Sequence, residues 1–379
     1  MKRLFVCSAI ALPFALGSVP AEAQDAREGS EPQESAPIVV SYEPLHAAAG
    51  VMNDHMHDSG ELMLGLRYLH ESSRGANRAG TRTISDADIL ASGYVSRASQ
   101  MEMDMVMLDI MYAPNDNLTF MVMPQWMRHE MTMVGINPAN TGMDMMGGMD
   151  MGGMDMGGMD MSAGHHSLAF GQKMTHSTQG LADTLVSGSL RLARSHGLNA
   201  HATLGLWLPT GKADRKNSDG TFVHYGMQSG SGTWDIEPSL TLSGTSGSFG
   251  WGAQGSYRWR SEERNKSGFS FGDKAKFTAW ASKLISPRAS VTGRISWEHE
   301  GQVQGHYNAG HNHSAPADRQ PNYGGDIVWA ATGINIALPL SGAKPPQLGI
   351  EASMPIHQNL HGIQLPRDWR LALSLTKSY

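Results

Sequence analysis

The sequence predicts an all-β protein, a transmembrane antiparallel up-and-down β-barrel of about twelve strands. Three observations predict it. Twelve stretches alternate apolar and polar residues with a period of two. The connections between them alternate short and long along the chain. The faces that must point inward carry arginine and glutamate, which suit a water-filled lumen and would be costly in a dry core.

Composition narrows the function classes. The chain has 379 residues, 29 Lys plus Arg and a net charge of −6, so it offers no basic surface for a phosphate backbone, and no nucleic-acid partner is expected. The only cysteine is Cys7. It lies inside an expected signal peptide, residues 1–23, built from Lys2-Arg3, an apolar stretch and Ala21-Glu22-Ala23. Disulfides, Cys-ligated zinc and thiol catalysis are thereby excluded from the mature chain. No G-x-S-x-G motif or comparable nucleophile and base arrangement stands out, so no enzyme and no catalytic residue is expected.

Residues 24–59 read as a periplasmic N-terminal segment and 60–379 as the barrel, with a Met-rich low-complexity loop over 134–180. Beyond the signal peptide no apolar run is long enough to span a bilayer as a helix. The strands are expected at 60–71, 103–112, 117–132, 182–194, 198–208, 234–244, 248–260, 274–285, 289–300, 327–338, 346–356 and 367–379. In the first, Leu62, Leu64, Leu66 and Tyr68 point outward against Glu61, Met63 and Arg67; in the seventh, Trp251, Ala253, Tyr257 and Trp259 oppose Gln254, Ser256, Arg258 and Arg260. Short turns at Ala113-Pro114-Asn115-Asp116, Ser195-His196-Gly197, Thr245-Ser246-Gly247, Ser286-Pro287-Arg288 and Ser341-Gly342 are periplasmic, and the long loops between them are extracellular. The last strand alternates Leu371, Leu373 and Leu375 and ends on Tyr379, like the C-terminal strand of bacterial outer-membrane barrels.

Methionine is concentrated. Of the 26 in the chain, 19 fall from Met101 to Met161. Met103, Met105, Met107 and Met111 share a face with Asp109, and on the next strand Met121, Met123, Met127, Met131 and Met133 share a face with Gln125 and His129. The opposite faces hold Val106, Leu108, Ile110, Tyr112, Phe120, Val122 and Trp126, which are better suited to lipid. The methionine face, with Met63 beside it, is therefore expected to line the lumen. Pliable packing, or a methionine face turned toward lipid, are the other accounts of such a pattern.

The loop that follows repeats Met-Asp-Met-Gly-Gly through Met149, Met151, Met154, Met156, Met159 and Met161, followed by His165 and His166. Glycine pairs prevent a packed element there, leaving the thioethers exposed. A second constellation, Met52-Asn53-Asp54-His55-Met56-His57-Asp58, is expected at the periplasmic mouth. Thioether sulfur suits Cu(I), while carboxylate and imidazole broaden a site toward Cu(II) and other divalent ions. Met52, His55, Met56 and His57, the methionines of the hairpin with Met63, Asp109 and His129, and the loop residues are the candidate metal ligands.

The run Gly50-Val51-Met52-Asn53-Asp54-His55-Met56-His57, Gly60-Glu61-Leu62-Met63 and the Met-alternating hairpin resemble a family of Gram-negative outer-membrane barrel transporters associated with copper and heavy-metal resistance, similar to the meta-pathway phenol-degradation barrels. The resemblance covers Gly50 to Met133. It implies outer-membrane location after export and a metal association, and brings no catalytic residues. The first strand departs from it, with Leu and Gly where more Met is expected. The glycine-spaced repeat also resembles the Met-rich tracts of copper-resistance proteins.

The resulting expectation is a barrel that binds copper ions, Cu(I) above all, and transports them through a Met-lined lumen as bound or moving cargo rather than as a catalytic cofactor. The outer-membrane bilayer, metal ions and a periplasmic metal carrier are its expected partners. The alternative is an outer-membrane channel for small hydrophobic or aromatic compounds, with the methionines as an apolar slide.

Overall fold

Each alternating stretch becomes a strand because one of its faces suits lipid and the other does not, which fixes its register against both neighbours. The computed structural model describes residues 46–141, 168–195, 197–339 and 344–379. Its twelve barrel strands are β1 (Leu62–Arg74), β2 (Ser96–Asn115), β3 (Leu118–Met123 and Gln125–Gly135), β4 (Lys173–Leu181 and Thr184–Ser195), β5 (Leu198–Leu208), β6 (Asp235–Ser246), β7 (Phe249–Arg260), β8 (Lys274–Ser286), β9 (Ala289–Glu300), β10 (Gly325–Ala337), β11 (Gln347–Gln364) and β12 (Arg367–Ser378). Every sequential pair is antiparallel. The barrel closes where β1 pairs with β12 from Met63↔Ser378 to Ser73↔Arg367, while its other edge pairs with β2 from Leu62↔Tyr112 to Arg74↔Gln100. Closure removes the exposed edges that an open sheet would leave. The barrel places the protein in the outer membrane, with the bilayer around its outer face.

Proline explains one irregularity. Pro124, which has no N–H to donate, divides β3, and the facing strand β4 breaks at Ala182-Asp183. There the Ala182 N–H donates to the Gln125 carbonyl at 2.9 Å and carries the ladder across.

Burial alternates as the sequence pattern requires. Leu66, Phe120, Leu204 and Ile295 are more than half exposed and form part of the lipid face, whereas Met63, Met107, Met111, Met121 and Met123 are buried on the inner face. The methionine row therefore lies inside, as its polar companions led us to expect.

Three strands outrun their expected ends by several residues. β2 has 20 residues and β11 has 18, against the roughly 9–11 needed to cross the hydrocarbon, and β4 begins at Lys173 rather than at 182. Alternation is lost in Arg97-Ala98-Ser99-Gln100 and His357-Gln358-Asn359, because a strand rising above the membrane no longer needs one greasy face. The connection after β3 is correspondingly shorter than 134–180, since β3 ends at Gly135 and β4 starts at Lys173. Between β1 and β2 lies one short helix, α1 (Asp86–Ala91), whose N-terminal N–H groups are capped reciprocally by Ser85 and Asp88. The other long connections carry an aromatic cluster in which the Tyr307 ring stacks between Phe222 at 4.2 Å and Tyr225 at 4.4 Å. The signal peptide, residues 24–45, and Met149, Met151, Met154, Met156, Met159, Met161, His165 and His166 lie outside the described residues.

Candidate functional site

The interior of the barrel is organised by three sets of side chains. The first is the methionine wall of β1, β2 and β3. It divides into two packed clusters: Met63, Met107, Met111, Met121 and Met123 meet Leu185 and Trp207 near the short-turn end, while Met131 and Met133 meet Met227, Val223 and Leu365 beneath the long loops. Between and beside them Met52, Met103, Met105, Met107, Met127 and Met131, with His129, border a cavity of about 580 Å³. Met111, Met121, Met123 and Met133 pack away from that cavity. Met101 and Met227 join this inner lining and packing although the sequence pattern had not singled them out.

The second set is ionic. On β12, Arg370 bridges Glu71 of β1 and Glu298 of β9. Arg294 grips Glu351 with bonds of 2.6 and 3.0 Å, and Arg258 and Arg260 share Asp235. Two guanidinium groups also lie over tryptophan rings, Arg370 over Trp329 at 3.8 Å and Arg258 over Trp207 at 3.9 Å. Desolvated contacts of this kind contribute about 2 kcal/mol each. This wall is therefore polar but internally neutralised. Asp109, expected among the metal ligands, accepts from Arg67 through Oδ2 at 2.5 Å, while its buried Oδ1 has no hydrogen-bond partner.

The third set is the N-terminal segment, which sits deeper than the expected periplasmic mouth. Its residues cross the short-turn half of the lumen as a plug whose backbone carbonyls are taken up by wall side chains. Arg67 Nη1 donates to the carbonyls of Ala49 at 3.0 Å and Val51 at 2.9 Å. Gln254 Nε2 donates to the Met52 carbonyl at 2.9 Å, and Asn335 Nδ2 to those of His46 and Ala47 at 3.0 and 3.1 Å. The Asn53 carbonyl receives His201, Thr241 and Gln254 together. A Cβ on Gly50 would collide with the Arg294–Glu351 pair, which is why glycine occupies the point of closest approach. An extended or irregular segment can occupy a barrel interior only if its polar groups are satisfied in this way.

Within the plug, Asn53 adopts φ +52°, and the tight turn brings Asp54 and His55 back to His46. Asp54 Oδ1 lies 3.0 Å from His55 Nδ1, while Asp54 Oδ2 accepts the Ala47 N–H at 3.2 Å. The His55 ring is 4.8 Å from both the His46 and His57 rings. Burial, reinforced by neighbouring His55, pushes the His46 imidazole down to about 4, and the same two causes bring His57 to about 4. Both are neutral at pH 7 and able to act as ligands. Burial opposes charge on Asp54 and His55 as well, but their mutual attraction outweighs it, raising His55 and holding Asp54 far below the ordinary carboxylate range. Sequence reading had found His55 and His57 but missed His46, which no spacing rule links to them. Met56 is only half-buried, and Met52 lies against the lower methionine cluster.

On the other side the cavity is bordered by Pro316, Ala317, Asn322 and Tyr323 of the long connection before β10. The cavity thus lies between a plug and a loop cap.

No curated protein sequence matches the chain. In fold it is similar to the COG4313 outer membrane channel from Pseudomonas putida F1, with TM-score 0.54, 14% identity, and 87% of this chain and 99% of that chain covered. Weaker likenesses are to a Pseudomonas aeruginosa FadL homologue, TM-score 0.37 at 10% identity with 84% and 90% covered, and to the Ralstonia pickettii toluene transporter TbuX, TM-score 0.36 at 10% identity with 86% and 90% covered. The family model described as "Putative MetA-pathway of phenol degradation" matches residues 140–332, half of the chain. The chain belongs to that family and has the fold of an outer-membrane β-barrel.

Proposed function

We propose that the barrel is a passive channel for small aromatic and other hydrophobic compounds bearing a single polar group. The observation that carries this reading is the two-sided cavity, with thioethers of Met103, Met105 and Met127 on one side and neutralised guanidinium groups lying over Trp207 and Trp329 on the other. Sulfur contacts aromatic edges favourably, by about 0.3–1.5 kcal/mol, and adapts to different shapes. The paired arginines offer N–H donors to a hydroxyl without a net charge that would trap an anion. A volume of about 580 Å³ suits a small organic molecule. The family's association with phenol degradation points to the same class of compound. The test is entry of p-nitrophenol into lipopolysaccharide-containing proteoliposomes, compared with arabinose. The barrel should accelerate the phenol selectively, and the Met105→Glu, Met127→Glu variant should lose that selectivity while still passing arabinose. Equal acceleration of both solutes by the native barrel refutes the reading.

A second reading, Cu(I) as the cargo, is favoured by the row of sulfurs from Met103 to Met107 on the cavity. Many weak sites suit conduction, because an ion must also leave. Changing Met103, Met105, Met107 and Met127 to Leu keeps the apolar wall and removes the ligands. Loss of Cu(I) flux with retained p-nitrophenol flux supports this cargo, and unchanged Cu(I) flux removes it.

A further inference from the structure

We infer that His46, Asp54 and His55, with His57 as the fourth group, form a resident site for one borderline divalent transition-metal ion of the zinc or copper(II) kind, and that the bound ion locks the N-terminal plug inside the lumen. One ligand atom from each of His46, Asp54 and His55 already lies within 4.8 Å of the others. Bonds of about 2.1 Å in a tetrahedron separate ligand atoms by roughly 3.4 Å, so about an ångström of side-chain movement completes the site. His55 has the freedom for it, with a third of its side chain exposed. An independent observation concerns His57. It is 2% exposed, its Nδ1 is held by Glu61 Oε1 at 3.1 Å, and its Nε2 is buried without a hydrogen-bond partner. A ring held by a carboxylate through one nitrogen, with the other left free, is how a metal-ligating histidine is commonly prepared.

The locking role follows from where these residues stand in the chain. His46 is tied to β10 through its carbonyl, and the peptide after Asn53 is tied to β5 and β7. An ion joining residue 46 to residues 54 and 55 closes the intervening loop, whose Ala49 and Val51 carbonyls are the ones Arg67 holds. It therefore removes freedom from the unseated plug more than from the seated one. The inference is independent of cargo, since imidazole and carboxylate form a different donor set from the thioether row.

The experiment uses the full mature barrel, stripped with EDTA and titrated with Zn²⁺ alone in calorimetry, then with Zn²⁺ or EDTA in planar-bilayer recordings. One ion should bind per chain, and Zn²⁺ should lengthen the closed state that EDTA shortens. The His46→Ala, His55→Ala variant should weaken binding by more than the roughly 10- to 100-fold that loss of a supporting partner costs. It should also be insensitive to Zn²⁺, while heat-modifiable migration shows that its barrel is folded. Cu²⁺ bound to the native protein should display nitrogen splitting from at least two imidazoles in its electron paramagnetic resonance spectrum, a readout that needs no variant. Binding that is unchanged in the variant, a spectrum without imidazole nitrogens, or Zn²⁺ binding that leaves the closed state unaltered each overturns the proposal. Selective p-nitrophenol flux is measured separately, so failure here leaves the channel reading standing and the reverse also holds.

Discussion

Replacing Arg67 with Met should shift the plug toward release and, through its partner Asp109, also weaken the barrel wall. Arg67 makes two bonds to the plug, at 3.0 Å to the Ala49 carbonyl and 2.9 Å to the Val51 carbonyl, and one of 2.5 Å to Asp109, which is 2% exposed. Hydrogen bonds from a charged donor contribute about 1.5–3 kcal/mol each. Taking the low end, two of them give about 3 kcal/mol, or a change of roughly 150-fold in the ratio of seated to released plug. The substitution also strands the Asp109 carboxylate, and breaking a buried pair costs about 3–5 kcal/mol. That second cost falls on the barrel rather than on the plug. The variant Arg67→Met, Asp109→Leu separates the two, because it removes the buried charge together with its partner. Single-channel recordings should show a long-lived high-conductance state in both variants, whereas urea unfolding in lipid vesicles should show a large loss of stability only in the single variant. If Arg67→Met has the same distribution of open and closed states as the native protein, the plug is not held by these bonds and the argument fails.

Two further outcomes test other parts of the structure. Ile295 is 58% exposed in the middle of β9 and Phe249 is 43% exposed at the start of β7. Ile295→Arg should therefore lower folding stability in vesicles by about 2–4 kcal/mol and Phe249→Arg by about 0–1, and equal losses would contradict the bilayer position. In the loop cap, Asp318 accepts the Ala315 N–H at 2.9 Å and pairs with His224 at 2.7 Å. Burial opposes its charge, but the attraction of His224 prevails and holds the carboxyl below its ordinary value. A lowered carboxylate stabilises the fold above its unfolded pKa of about 3.9, and this contribution is lost as pH falls through the lower folded value. The near-ultraviolet circular dichroism of the Tyr225–Tyr307 stack should persist through neutral pH and fade only below about pH 4, whereas Asp318→Asn should weaken it already at pH 7.

Local alternation alone determined much of this protein. The number of strands and their order were legible because a membrane strand must segregate its residues two by two; on β2 Asp109 beside Met107 and Met111 favoured turning Val106, Leu108 and Ile110 to lipid, and the structure decided it. The ends of β2 and β11 and the start of β4 were not legible, since strands above the bilayer are free of that constraint. Nor was the use to which the inward polar residues are put. They were expected to face water, but Arg67, Gln254 and Asn335 satisfy the backbone of a plug, and one carboxylate oxygen of Asp109 is taken by Arg67. His46 joined the plug histidines by the same route. A residue's choice of face is settled by its neighbours in sequence, whereas its partner across the lumen depends on closure of the barrel, which brings Met52 to Gln254 and His46 to Asn335, 202 and 289 residues away. Only the tertiary structure fixes such pairs, because no periodicity along a strand records what stands on the far wall.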